Sequence, residues 1–360
     1  MIGTTAALTG PASGSYAPPL VALNLYIDRV KKAGGVNGHP IKLVVADDQD
    51  EASRAAANVK QLLAGNQLLM LVNGSLSSTN LPIMSEVKRA SIPLLFAGIC
   101  PKEVYPPANN LMFCPTQFGA QYDTRAAFDF VKDKAGADVR IAVIALSITV
   151  SLAEADFAMK YAPTLGFKAV DEEIVPPSTP DYSPFATRLM SSNPNWVYSW
   201  GPSFMQVKVY EALRKLGWKG DFICSAQPEA QQDLPRLKDP RLYIVGPDAL
   251  VAENLPAHRQ IAGAATAAGQ SYPTNLMVEG WIDGMVIETV LKNAGWPATP
   301  AKVRDAMANL DVNLDGMRGG NLQWTKDNHF RAKQYYRVYN WSTTDNKIDV
   351  AKDWTAYDVK

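Results

Sequence analysis

Apolar and polar positions alternate along the first hundred residues in two different rhythms. Leu68 to Val72 and Ile92 to Phe96 are short unbroken apolar runs, the pattern of strands buried on both faces. Between them Leu81, Met84 and Val87 recur at helical spacing, with Pro82 in the first turn, where a missing N–H costs little. The polar break Asn73-Gly74-Ser75-Leu76-Ser77-Ser78-Thr79 joins the first strand to the helix. Its hydroxyls meet a helix N-terminus, whose orphan N–H groups and positive dipole end favour an anion. The plainer reading is that one of these hydroxyls caps the helix.

The same rhythm extends in both directions. A short strand and a turn, Ala6 to Tyr16, precede a helix carrying Leu20, Leu23, Ile27 and Val30, which Gly34-Gly35 closes. Ile41 to Ala46 reads as a strand. Asp47, Asp48 and Asp50 then open an alanine-rich helix from Ala52 to Leu63, where the dipole favours acidic residues. After a break past Leu111–Thr116 the alternation restarts. Helices are expected at 122–134, 152–161, 185–191 and 204–216, and strands at 140–146, 169–175, 196–200 and 221–225. A strand at 243–251, helices at 277–294 and 299–310, and strands at 321–324 and 335–341 complete the pattern. Strands alternating with helices imply parallel sheets covered on both faces, an α/β chain.

Composition narrows the function. At 360 residues the chain has room for two domains of ordinary size. Lys plus Arg and Asp plus Glu both total 35, so no basic surface for nucleic acid is expected. No apolar run approaches the roughly 18 residues of a membrane span. Met1 leads almost directly into the first strand, which fits either a cytoplasmic protein or a mature chain with a replacement start. Cys100, Cys114 and Cys224 are odd in number and lack metal spacing, so no disulfide framework is expected and the compartment cannot be read from them. The chain has no G-x-G-x-x-G fingerprint, phosphate loop or G-x-S-x-G elbow, and His39, His258 and His329 have no triad or metal partner in view. No catalytic residue, cofactor or metal is expected.

The order of several short motifs resembles type I periplasmic solute-binding proteins of ABC importers, in particular the leucine/isoleucine/valine-binding family. They are Leu8-Thr9-Gly10-Pro11, Ala33-Gly34-Gly35-Val36-Asn37-Gly38, Val44-Val45-Ala46-Asp47-Asp48-Gln49, Gly74 to Thr79, Ile92-Pro93-Leu94-Leu95, Gly280-Trp281-Ile282-Asp283 and Gly319 to Trp324. The resemblance implies two Rossmann-like lobes joined by three interlobe crossings, with ligand in the cleft and closure by a hinge. One lobe would hold 1–117 and 251–325, the other 118–250 and 326–360. It further implies a periplasmic monomer, its signal peptide removed, that passes a small ligand to membrane permease subunits. A ligand-sensing domain of a regulator has the same fold, but the chain shows no DNA-binding or signalling segment.

Carried over residue by residue, the resemblance places ligand-carboxylate donors at Ser75, Leu76, Ser77, Gly98, Ile99 and Cys100, with a cysteine where the family usually has threonine. The opposite lobe usually presents a tyrosine where this chain has Val150, and a second aromatic near Trp200, Pro202, Ser203 and Phe204. The acid that pairs with an amino acid's ammonium falls at Ser225-Ala226-Gln227, with Glu229 two residues on. A buried ammonium without a charged or strongly polar partner is costly. What remains is an anion-accepting helix end facing Tyr16, Phe118, Tyr122, Trp200 and Phe204, with Gln227 counted among the ligand-binding residues. An aromatic acid of the benzoate or phenylpropenoate type fits that set best. Branched-chain or other aliphatic amino acids, or amides or fatty acids, are the alternatives.

Overall fold

The computed structural model describes residues 1–65, 67–116, 121–136, 138–225 and 230–360. The chain divides into two compact units. Unit 1 comprises Met1–Phe118, Ala249–Gln334 and Tyr357–Lys360, and unit 2 comprises Gly119–Asp248 and Tyr335–Ala356. The expected return to the second lobe at 326 therefore moves to Tyr335, and the last four residues rejoin unit 1, making four changes of unit rather than three.

The first segment of unit 1 runs β1 (Ile2–Ala6), α1 (Ser13–Lys32), β2 (Leu43–Asp47), α2 (Ala52–Gly65), β3 (Met70–Gly74), α3 (Asn80–Ala90), β4 (Leu94–Phe96) and β5 (Met112–Phe113). These strands make a five-stranded sheet in the order β2-β1-β3-β4-β5, with all four neighbouring pairs parallel. Helix α1 starts before the expected turn has ended, so Tyr16 lies in its first turns.

Unit 2 follows with α4 (Tyr122–Ala135), β6 (Arg140–Leu146), α5 (Thr149–Tyr161), β7 (Lys168–Val175), α6 (Ser183–Ser191), β8 (Trp196–Trp200), α7 (Ser203–Lys215), β9 (Asp221–Cys224), α8 (Ala230–Leu237) and β10 (Leu242–Gly246). The chain returns to unit 1 for α9 (Pro256–Ala267), α10 (Thr274–Ala294), α11 (Pro300–Met307), β11 (Asp311–Val312) and β12 (Leu322–Gln323). It closes unit 2 with β13 (Lys333–Ser342) and β14 (Lys347–Asp358). The seven-stranded sheet of unit 2 runs β14-β13-β10-β9-β8-β6-β7, with β13 antiparallel to β10.

Unit 1 is held by α1 packed against α10. Their axes come close because Gly280 carries no side chain: a Cβ there would stand 1.7 Å from the Pro19 carbonyl oxygen. Helix α10 is buried nearly all round, through Met277, Val278, Trp281, Ile282, Val286, Ile287 and Val290, rather than along one stripe. Strand β14 was not expected. It is an edge strand with mostly exposed or half-exposed positions, and its charged residues mask an apolar rhythm. No described helix is long and apolar enough to cross a membrane.

Candidate functional site

In a parallel α/β sheet the loops after the carboxyl ends of the strands gather ligand-binding groups. In unit 1 these are the loops after β1, β3 and β4. Gly98 lets two of them touch, because a Cβ there would lie 2.3 Å from the Ser75 carbonyl oxygen.

The polar residues of these loops serve mainly to hold the loops in shape. Asp48 is fully buried and accepts hydrogen bonds from the Thr5 hydroxyl (2.9 Å), the Ser75 hydroxyl (2.8 Å) and the Asp50 N–H (3.1 Å). Asp47 accepts from the Leu8 and Thr9 N–H groups and the Thr9 hydroxyl, and Asp50 accepts from the Ala12 N–H. Gln49 and Asp50 have positive φ, and no acidic residue lies in the first turn of α2. The three acids are structural as expected, but as ties between loops rather than partners of the helix dipole.

Asn73 extends the web. Its side-chain N–H groups reach Thr79 (3.1 Å) and Asn80 (2.8 Å), and Asn80 in turn donates to the Ile99 carbonyl (3.2 Å). The Thr79 hydroxyl donates to the Leu76 carbonyl, and neither Leu76 nor Thr79 makes a side-chain cap bond to the turn or helix that follows. Capping by Thr79, the plainer expectation, is not what the structure shows.

Two expected anion donors are accounted for elsewhere. The Ser75 hydroxyl proton goes to Asp48, and the Gly98 N–H donates to the Asn73 carbonyl (3.0 Å). In the ligand-free chain these two residues hold the loops in shape. Ser77 is buried in the short turn before α3. Tyr16, Leu76 and Ile99 are half-buried and keep apolar surface open.

Cys100 carries the largest correction. It is joined to Cys114 by a disulfide, with Cα atoms 5.7 Å apart. Parallel neighbours β4 and β5 bring together residues 14 positions apart, which spacing alone does not reveal. The bond ties the loop after β4 to the segment after β5, where the Arg318 guanidinium also donates to the Pro115 carbonyl (2.7 Å).

Unit 1 also holds a cavity of about 10 Å³ lined by Thr4, Tyr16, Pro19, Gly74, Ala97 and Asp283, among others. Asp283 Oδ1 and the Thr4 hydroxyl are buried there without hydrogen-bond partners. Burial, with the Glu279 charge adding to it, drives the Asp283 carboxyl well above its ordinary range.

In unit 2, Trp200 ends β8 almost wholly buried, and its indole N–H donates to Asp123 (3.0 Å). The Tyr336 hydroxyl donates to the other Asp123 oxygen. Tyr122, Val150 and Phe204 lie in the first turns of α4, α5 and α7, each half-buried. Gln206 donates to the Gly201 carbonyl and accepts from the Ser225 N–H (3.0 Å), which joins the loops after β8 and β9. Phe118, Ala226, Gln227 and Glu229 lie outside the described residues.

Sequence reasoning missed the second acid of this region. Glu154, on α5, accepts from the Thr124 hydroxyl (2.6 Å) and the Gln121 N–H, and Thr124 is hydrogen-bonded to Tyr198 (2.9 Å). Burial, with the Asp123 charge beside it, pushes Glu154 up to about 8. Asp123 opens α4, where an acid is an ordinary partner of the helix dipole, and Glu154 lies in the second turn of α5 with no motif around it to single it out. Among the described residues no group of three His, Cys, Asp or Glu side chains could hold a metal ion.

The paired α/β units and the loop clusters at their strand ends are the build of a solute-binding protein. The chain belongs to the periplasmic binding protein family, whose model matches residues 1–347. Members of that family are solute-binding proteins, not enzymes. A branched-chain amino acid ABC transporter protein from Thermus thermophilus with bound valine is 16% identical, with a TM-score of 0.86 over 99% of this chain and 95% of that one. LivJ from Streptococcus pneumoniae in complex with isoleucine is 14% identical, with a TM-score of 0.79 over 99% of both chains. A fatty acid ABC transporter substrate-binding protein from Thermomonospora curvata is 17% identical, with a TM-score of 0.81 over 100% of this chain and 94% of that one. At these identities the likeness is one of fold. No curated protein matches the chain.

Proposed function

We propose that this chain is the extracytoplasmic binding component of an ABC importer and carries a small organic acid with an aromatic body. The observation that carries the reading holds for each unit by itself: half-buried apolar and aromatic side chains follow its strands, Tyr16, Leu76 and Ile99 in unit 1 and, separately, Tyr122, Val150 and Phe204 in unit 2. Such surface rewards a ligand that brings apolar area of its own. The ligand's anionic end is assigned to the turn that opens α3, with Ser77, and to the backbone N–H groups near Cys100. The Cys100–Cys114 disulfide supports an oxidising compartment, the periplasm. The protein acts as a monomer and passes its ligand to membrane permease subunits.

A second reading, an aliphatic amino acid, is favoured by one observation: the acid Asp123 lies directly behind Trp200, where its charge would favour an ammonium group. A thermal-shift panel separates the two. A ligand at about 100 times its dissociation constant adds roughly 2.7 kcal/mol to stability, worth a few degrees for a chain of this size. Stabilisation by benzoate or a phenylpropenoate but not by leucine or valine is expected. Stabilisation by leucine or valine and by no aromatic acid would sink the aromatic reading, and stabilisation by fatty acids alone would replace the ring with a chain.

A further inference from the structure

Three of the unit 2 residues assigned to the ligand enclose one buried network. Tyr122 adjoins Asp123 in the first turn of α4. Val150 lies one helical turn before Glu154 on α5, so the two share a face. Trp200 donates its indole proton to Asp123. Asp123 and Glu154 are both almost completely buried and lie close enough for the charge of one to act on the other.

Glu154 has neutral partners only. Thr124 and the Gln121 N–H each serve one of its oxygens, and no described basic side chain pairs with it. On α4 it faces Asp123, while the Arg125 guanidinium lies over the rings of Phe157 (5.2 Å) and Tyr161 (5.3 Å). On β8 it faces Tyr198, which feels both acids and the Cys224 thiol of β9. On β7, Glu173 is paired with Arg188 (2.7 Å), and on α5 itself Asp156 is paired with Lys160 (2.7 Å). Tyr336, on β13, reaches Asp123 and not Glu154. Two buried carboxylates this close, with no cation on one of them, do not both ionise at neutral pH, because each charge raises the cost of the other.

We propose that Glu154 sets the charge behind the Trp200 wall that receives the ring: as a neutral acid it leaves that wall open to an organic acid, and once ionised it disfavours the acid and favours a ligand with a cationic group. The inference deepens the ligand-binding reading and rests on it for the role of Trp200. The proton balance is simple. Glu154 releases one proton to solvent, the network gains one negative charge, and the shared field weakens or reorients the Trp200–Asp123 bond.

The test begins on the ligand-free full chain, following the indole N–H resonance of Trp200 by NMR from about pH 6 to about pH 9. Its loss in Trp200→Phe assigns it. The resonance is expected to shift through one transition near the value of about 8 that Glu154 takes here, and to stay flat in Glu154→Gln. A resonance that is flat in the parent protein, or that shifts equally in Glu154→Gln, overturns the proposal. Benzoate is the binding probe. Its affinity should fall above the transition by up to about tenfold per pH unit, and stay level in Glu154→Gln. Equal pH profiles in the two proteins overturn the charge-setting role. If benzoate binds neither protein at any pH, the aromatic-acid reading fails, while the indole transition still decides whether Glu154 holds the proton.

Discussion

Asp48 in unit 1 and Glu154 in unit 2 are both buried acids just behind loops at the carboxyl ends of their sheets, and their surroundings differ in kind. Asp48 is served by two hydroxyls and a backbone N–H, and the carboxylates on either side of it each collect N–H groups of their own. Its charge does structural work, drawing Thr5 on β1 and Ser75 after β3 onto one centre. Glu154 is served by one hydroxyl and one N–H, with the Asp123 charge at its side. Burial raises both carboxyls, but three donors work against that rise at Asp48, whereas at Glu154 the Asp123 charge adds to it and brings its titration close to neutral pH.

The largest effect that sharpens this contrast is the dependence of stability on pH. Glu154 has a folded value of about 8, above its ordinary value of 4.5. Its contribution is therefore complete below about 4.5 and is lost as pH rises toward about 8, at no more than about 1.4 kcal/mol per pH unit. Asp283 is raised as well and acts in the same direction. Denaturant melts across this range should show stability declining, with a shallower slope in Glu154→Gln. A rise in stability over that window would reverse the account.

The disulfide comes next. Opening it in the double variant Cys100→Ala, Cys114→Ala should cost about 3 kcal/mol, the figure for a loop of this length. It should also weaken binding at the loop after β4 beyond the loss of stability, a difference that calorimetry reads separately from melting. Replacing Asp48 by alanine orphans the buried Thr5 and Ser75 hydroxyls and should destabilise unit 1 by about 2 kcal/mol, with a matching rise in hydrogen exchange in the loops after β1 and β3. The smallest effect is expected for Ser75→Ala, about 1 kcal/mol of stability with ligand affinity unchanged. A large loss of affinity in that variant would return Ser75 to the ligand.

Much of the fold was legible because buried parallel strands leave unbroken apolar runs. Leu68–Val72, Arg140–Leu146 and Trp196–Trp200 all fall on or beside observed strands. The polar edge strand β14 and the alanine-rich α9 carry no such run and escaped. The candidate site was less legible, since a hydroxyl at the end of a strand looks the same whether it faces a ligand or a buried acid. Only the proximity of Asp48 distinguishes these for Ser75, and that pairing joins residues 27 positions apart. The Cys100–Cys114 bond is hidden for the same reason: it depends on β4 and β5 being neighbours. Asp123 and Glu154 lie 31 positions apart and belong to no motif, and only folding makes them a pair.

The claim that organises the account is that this periplasmic binding protein carries an aromatic acid. Its most direct test is calorimetric titration of the purified chain near neutral pH with benzoate and, separately, with leucine. The account predicts a saturable one-to-one isotherm for benzoate and no measurable heat of binding for leucine. A one-to-one isotherm for leucine with none for benzoate would contradict it.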